Sequence, residues 1–128
     1  MTQIQQIYKC DICGNIIEVL HSGADALVCC NQPMILQKEN SIDAANEKHI
    51  PVIEKTPEEK TIVKIGKIEH PMTNEHYIEW IGLENKDKNK ICRKNLKPEE
   101  KPESKFCAKT ENVKARCYCN LHGLWKSK

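Results

Sequence analysis

Polar and apolar positions alternate near the carboxyl end of the chain. Val113, Ala115, Cys117 and Cys119 lie on one side of the alternation, and Lys114, Arg116 and Tyr118 on the other. A repeat of two is the period of a half-buried strand. Shorter runs read as strands too. Residues 16–20, 50–54, 61–68 and 77–81 are rich in β-branched or aromatic side chains. Residues 27–28 lead into Cys29 and Cys30, and residues 90–92 offer a partner for 77–81. Pro51 suits an edge or a first strand position. Residues 21–25, 31–34 and 56–59 read as turns. Residues 37–46 are polar and read as a linker, with one helical turn after Ser41. The pattern predicts an all-β chain. A small module covers 1–37, and several short strands over 38–128 form an antiparallel sandwich.

The 128 residues include one Phe, two Trp and three Tyr, and 30% are charged. Such a chain buries a modest core, and small units of this kind often lean on metal or oligomerisation. Residues 1–6 have neither a basic flank nor an apolar stretch, so no signal peptide is expected. No apolar run is long enough to span a bilayer, so no membrane is expected. Eight cysteines without a secretion signal point to metal rather than disulfides, because cytoplasmic thiols stay reduced. The expected location is cytoplasmic.

The net charge of +2 hides an asymmetry. Residues 1–85 carry seven Lys/Arg against thirteen Asp/Glu, and residues 86–128 carry thirteen against five. The basic part begins with Lys86, Lys88, Lys90, Arg93, Lys94 and Lys97. No aromatic residues interleave this run, so nucleic acid is not an expected partner. A solvated hairpin face accounts for the run, with an acidic partner as the alternative.

Cys10-Asp11-Ile12-Cys13-Gly14 has the form of a metal knuckle, in which the glycine lets backbone amides turn toward the sulfurs. Fifteen residues separate Cys13 from the adjacent pair Cys29-Cys30. Four thiolates satisfy tetrahedral zinc or iron. The adjacent pair departs from a zinc ribbon, which repeats Cys-x-x-Cys, and asks for a distorted angle at the ion. Four free thiols are the bland alternative. His21 falls in a surface loop without an assigned role.

Cys119-Asn120-Leu121-His122-Gly123 sets a thiolate and an imidazole with two residues between them in a turn closed by glycine. Alone, the pair is a weak signal and reads more readily as a buried thiol beside a surface His. His49, His70 and His76 strengthen it, because each flanks an expected strand, where loops gather at the end of a sandwich. Four neutral imidazoles and one thiolate suit iron with one of six positions open, and do not suit a closed tetrahedral zinc site. Cys117 reads as packing beside Val113 and Ala115. Cys92 and Cys107 read as small core residues.

Six motifs together resemble desulfoferrodoxin, the two-iron class of superoxide reductase. They are Tyr-Lys-Cys-Asp-Ile-Cys-Gly-Asn from residue 8, Val-Cys-Cys-Asn-Gln from 28, Glu-Lys-His-Ile-Pro-Val-Ile-Glu-Lys from 47, His-Pro-Met from 70, His-Tyr-Ile-Glu-Trp-Ile from 76 and Cys-Asn-Leu-His-Gly-Leu-Trp from 119. They run across nearly the whole chain. The resemblance implies a desulforedoxin-like first domain whose Cys10, Cys13, Cys29 and Cys30 hold a rubredoxin-type iron. It implies an immunoglobulin-like β-sandwich for the rest. There a catalytic iron, cycling between Fe2+ and Fe3+, has His49, His70, His76 and His122 in a plane and Cys119 on the axis. A homodimer and a rubredoxin-like electron donor are implied as well.

The implied reaction is one-electron reduction of superoxide to hydrogen peroxide, with superoxide meeting the open position opposite Cys119. The thiolate pushes electron density along that axis. Lys48 would guide the anion and, with water, deliver a proton, and Glu47 would be the sixth ligand of the oxidised iron. Apart from the resemblance, these two read as an exposed pair. Two other functions fit the same residues: electron transfer without reductase activity, and a zinc-holding binding module.

Overall fold

The named strands all pair antiparallel, in short hairpins and two facing sheets. The computed structural model describes residues 1–42, 48–87 and 89–128. Glu47 and Lys88 lie outside the described residues, as does most of the stretch expected to form a helical turn after Ser41. The chain divides into two units, Met1–Lys38 and Glu39–Lys128. No helix occurs among the described residues, and none is long and apolar enough to cross a membrane.

In the first unit, β1 (Ile7–Lys9) lies between β2 (Ile16–Glu18) and β5 (Ile35–Leu36), and β3 (Val28–Cys29) pairs with β4 (Gln32–Pro33). Of residues 31–34, expected as a turn, Gln32 and Pro33 prove to be strand. The turn is only Cys30-Asn31, with both residues at positive φ (51° and 62°). That is the two-residue hairpin whose twist matches its flanking strands. β1 and β5 escape the pattern because three and two residues are too few to show a period.

The second unit holds β6 (Pro51–Lys55), β7 (Thr61–Ile65), β8 (Ile78–Asn85), β9 (Ile91–Asn95), β10 (Glu103–Phe106), β11 (Val113–Cys119) and β12 (Gly123–Lys126). One sheet has the order β10-β7-β6 and the other β12-β11-β8-β9. Pro51 opens the edge strand β6, where its missing N–H costs no ladder bond. The expected strand over 61–68 stops at Ile65, because Gly66 turns the chain at φ +84°. β10 and β12 are not expected from the pattern: one is polar at its first three positions, and the other is hidden behind the Cys119–Gly123 turn.

Between the sheets lies an apolar core that includes Ile50, Val63, Ile65, Ile78, Ile81, Leu83, Phe106, Ala115, Cys117 and Cys119. Each fully buried aliphatic side chain contributes roughly 1.5–3 kcal/mol. Ile78 and Ile81 share this core although an odd spacing should set them on opposite faces. A bulge reconciles them: Tyr118 pairs with Trp80 and Cys119 with Ile78, leaving Glu79 as the extra residue.

The expectation of a half-buried β11 is overturned. Arg116 and Tyr118, on the polar side, are as buried as the core side. Arg116 meets Glu84 (3.1 Å) and Glu39 (3.2 Å), and Lys114 meets Glu39 (3.0 Å) and Glu84 (3.3 Å). Two acids and two bases neutralise one another, which lets a charged face leave water. Arg93 also departs from a purely solvated hairpin, since it lies over Trp80 at 4.8 Å. Cys92 packs against the core, but Cys107, expected in the core, is exposed just beyond the end of β10.

Candidate functional site

The four cysteines of the first unit converge from the knuckle after β1, the end of β3 and the following turn. Their sulfurs all lie within 4.8 Å of one another, with 3.5 Å from Cys13 to Cys29 and 4.0 Å from Cys29 to Cys30. Sulfurs sharing a tetrahedral ion at about 2.3 Å sit about 3.8 Å apart, so the set fits one. Cys29 ends a strand while Cys30 turns back at positive φ, which lets adjacent residues face one point. The Cys13 amide leads in pulling the Cys10 thiol down to about 7. Hydrogen bonding to Cys13 leads in pushing Cys29 up and Cys30 up to about 12. Four sulfurs this close ionise together only around a cation. Cys10 is buried, and Cys13 and Cys30 are exposed.

The second cluster draws on three segments of the sandwich. His49 precedes β6, His70 and His76 lie between β7 and β8, Cys119 ends β11, and His122 sits in the β11–β12 turn. Single donor atoms of His49, His70, His76 and Cys119 lie within 4.8 Å of one another. His122 joins them, its Nδ1 3.1 Å from His49 Nε2 and 3.7 Å from Cys119 Sγ. The imidazoles close a ring in the order 49, 70, 76, 122, with neighbouring centroids 4.8, 4.6, 5.1 and 4.8 Å apart and His49 to His76 at 6.3 Å.

The chemistry of this donor set suits a cation. His70 Nδ1 donates to the Pro71 carbonyl at 2.7 Å, which turns Nε2 inward as a lone-pair donor. Nε2 of His70 and of His76 are buried without a hydrogen-bond partner. Such orphaned atoms are costly unless something binds them. Burial brings His70 down to about 4, against the Pro71 contact, and also lowers His76. Both imidazoles are therefore neutral and able to ligate. Burial pushes the Cys119 thiol up, while the amides of Leu121 and His122 pull it down. Amides aimed at sulfur favour its anion, which is the ligating form.

Several supporting residues had no role from spacing alone. Trp125 stacks on His49, with centroids 4.6 Å apart, and its Nε1 donates to the His122 carbonyl at 3.1 Å. The Cys117 thiol packs in the core and also donates to the His49 carbonyl at 3.2 Å. A side chain on Gly66 would clash with the carbonyls of Lys48 and Ile68, so only glycine lets that turn seat the Lys48-His49 segment. A lone glycine closing a β-rich run was the legible sign of it. Lys48 is half-buried, and its charge is near enough to help lower His76. Glu47 lies outside the described residues.

Comparison with known proteins agrees along the whole chain. Residues 41–128 match the family described as desulfoferrodoxin, and residues 2–37 match its N-terminal domain. Desulfoferrodoxin of Syntrophotalea carbinolica is 53% identical over 99% of this chain and 98% of its own. Superoxide reductase of Thermococcus kodakarensis is 36% identical over 73% of this chain and 96% of its own. The crystal structure of the superoxide reductase from Treponema pallidum superposes with a TM-score of 0.77 at 29% identity, covering 96% of this chain and 97% of that one. Matched in both of its units, and carrying two donor sets that answer to the family's two iron centres, this chain belongs to the desulfoferrodoxin family.

Proposed function

We propose that the chain is a superoxide reductase that converts superoxide, one electron and two protons to hydrogen peroxide at the second cluster. The observation that carries this reading is the closed ring of four imidazoles beside one cysteine sulfur. His49, His70 and His76 act through Nε2 and His122 through Nδ1, and Cys119 is the fifth ligand. Five donors leave one place for a small anion. Iron held there supplies the electron that superoxide takes up.

The chain's own residues do the rest. Burial keeps the imidazoles of His70 and His76 neutral, so these two ligate instead of carrying protons. Burial raises the Cys119 thiol, the amides of Leu121 and His122 offset part of that, and a bound cation would complete its ionisation. Lys48 draws the anion toward the ring and, with water, delivers a proton. Glu47, one residue before it, would offer its carboxylate to the iron once that iron is oxidised.

Cys10, Cys13, Cys29 and Cys30 hold a rubredoxin-type iron, and the exposure of Cys13 and Cys30 leaves it open to electron exchange. The two domains are 1–37 and 38–128, the electron donor is rubredoxin-like, and the protein works as a homodimer in the cytoplasm. All eight cysteines are free, which suits a reducing compartment.

The test mixes superoxide with the iron-loaded, reduced protein under anaerobic stopped flow or pulse radiolysis. Second-order oxidation of the second centre, with one peroxide formed per superoxide, is expected. A loaded second centre that leaves superoxide untouched would leave electron transfer as the better reading.

A further inference from the structure

Each ligand of the second cluster needs something to hold it in place, and the supports differ. The His70 ring is fixed directly through Nδ1 to Pro71. His49 lies against Trp125. His76 sits in a loop whose other members, Thr73, Asn74 and Glu75, are exposed and pack against little. Within that loop the His76 N–H donates to Thr73 Oγ1 (3.1 Å), and the Thr73 N–H donates to the His76 carbonyl (2.9 Å). These bonds shape the loop but do not tie it to the rest of the site.

Asn120 supplies that tie. It follows Cys119, and its side chain crosses to the loop. Nδ2 donates to the Glu75 carbonyl at 3.0 Å, and Oδ1 accepts the Tyr77 N–H at 3.0 Å. Its own backbone N–H donates to the Tyr77 carbonyl at 3.2 Å. The residues on both sides of His76 are thus bonded to the residue beside Cys119. The task needs a side chain that gives and accepts at once, which a carboxamide does and a carboxylate does not.

We propose that Asn120 is a positioning residue for the second centre: its carboxamide sets where His76 stands relative to Cys119, and so how firmly His76 ligates. The proposal rests on the reading of His76 and Cys119 as ligands of one iron. Contacts that orient a ligand typically change metal affinity by about 10–100-fold when removed. Asn120→Ala removes both side-chain bonds. Asn120→Asp keeps the acceptor for Tyr77 and sets a carboxylate against the Glu75 carbonyl.

The experiment uses the full chain loaded with iron at both centres. It follows the ferric electron paramagnetic resonance of the second centre and the rate at which a chelator removes its iron, with the four-cysteine centre as internal reference. Asn120→Ala is expected to lose that iron about 10-fold faster and to shift the ferric signal, with the four-cysteine spectrum unchanged. Asn120→Asp should fall between Asn120→Ala and the parent, and it decides the matter if Asn120→Ala does not fold. Thr56→Ala is the stability control: it removes the bond from the Lys60 N–H to Thr56 Oγ1 (3.0 Å) in the β6–β7 turn. It should leave signal and iron loss as in the parent even if the protein melts earlier. Parental signal and parental iron loss in both Asn120 variants would overturn the proposal, as would an equal shift in Thr56→Ala. His76→Ala separates the two readings. If it changes the signal while the Asn120 variants do not, only the positioning role fails. If it does not change the signal, the ligand assignment fails as well.

Discussion

The indole of Trp125 lies nearly parallel to the imidazole of His49, with ring centroids 4.6 Å apart and planes 15° from parallel. The same indole donates from Nε1 to the His122 carbonyl. One side chain therefore braces two neighbouring members of the ring from outside it. Trp125→Phe keeps an aromatic face but loses the hydrogen bond and part of the buried ring, so it should retain iron and cost about 1–3 kcal/mol. Trp125→Ala removes the brace and a large buried surface. It should cost about 3–5 kcal/mol and release iron from the second centre on dialysis. Thermal unfolding and metal analysis of the two variants check this.

Cys119 is the one sulfur in the second cluster, and serine is a far weaker anionic donor. Cys119→Ser should remove the visible sulfur-to-iron absorption of the oxidised second centre and abolish reaction with superoxide. The absorption of the four-cysteine centre should persist. Cys13→Ser should do the reverse, changing the first spectrum and leaving single-turnover reaction at the second centre intact. Spectra and stopped-flow traces of both variants test the division of labour. A Cys119→Ser protein with parental rates would rule Cys119 out.

A fixed cation beside the ring attracts a small anion, and salt screens the attraction. Lys48→Ala should slow the encounter with superoxide by about 10-fold at low ionic strength and flatten its salt dependence. Glu47→Ala should not slow the encounter, but should change the spectrum of the oxidised resting state. Pulse radiolysis across a salt series measures the first effect, and absorption the second. An unaltered salt slope in Lys48→Ala would make this lysine one more solvated charge.

Gly66 holds a positive φ, and a side chain there meets the carbonyls of Lys48 and Ile68. Gly66→Ala should therefore cost about 2 kcal/mol or more: about 1–2 for the left-handed backbone, with the clash in addition. The segment displaced carries Lys48 and His49, so the variant should also hold iron more weakly at the second centre. Denaturant unfolding followed at that centre and at the four-cysteine centre would show the loss confined to the second unit.

The buried charge cluster on β11 makes a pH-dependent contribution. Burial pushes the Glu39 carboxyl up, but the hydrogen bond and charge of Lys114, together with Arg116, more than offset this and hold it below its ordinary range. A carboxyl lowered in the folded state adds stability above the unfolded value, and that stability is lost as pH falls through the folded value. Glu39→Gln should thus lower the melting temperature by several degrees at pH 7, for a loss of about 1 kcal/mol. The gap from the parent should close as pH drops below the ordinary carboxylate range near 4.3. A gap that stays constant from pH 7 to the acid limb would place the effect in packing instead of charge.

Local patterns in the chain already determine much of this protein. The Cys-x-x-Cys-Gly knuckle, the Cys-Cys pair and the Cys-x-x-His turn mark donors, because a ligand's chemistry belongs to its residue and short spacings are kept by any fold. Alternation in residues 113–119 announces β11, because period two survives wherever one face packs. What the tertiary structure alone decided is how distant pieces close on one another. The ring order of His49, His70, His76 and His122 depends on which loops of two sheets meet, and no spacing encodes that. Cys29 and Cys30 share one point because Cys29 ends a strand and Cys30 opens the two-residue turn that follows. Ile78 joins Ile81 because a bulge at Glu79 shifts the register. Arg116 is buried because Glu39 and Glu84 come to it from far along the chain. Each of these is a pairing between remote residues, and a pairing takes physical form only when backbone register and burial bring both partners to the same place.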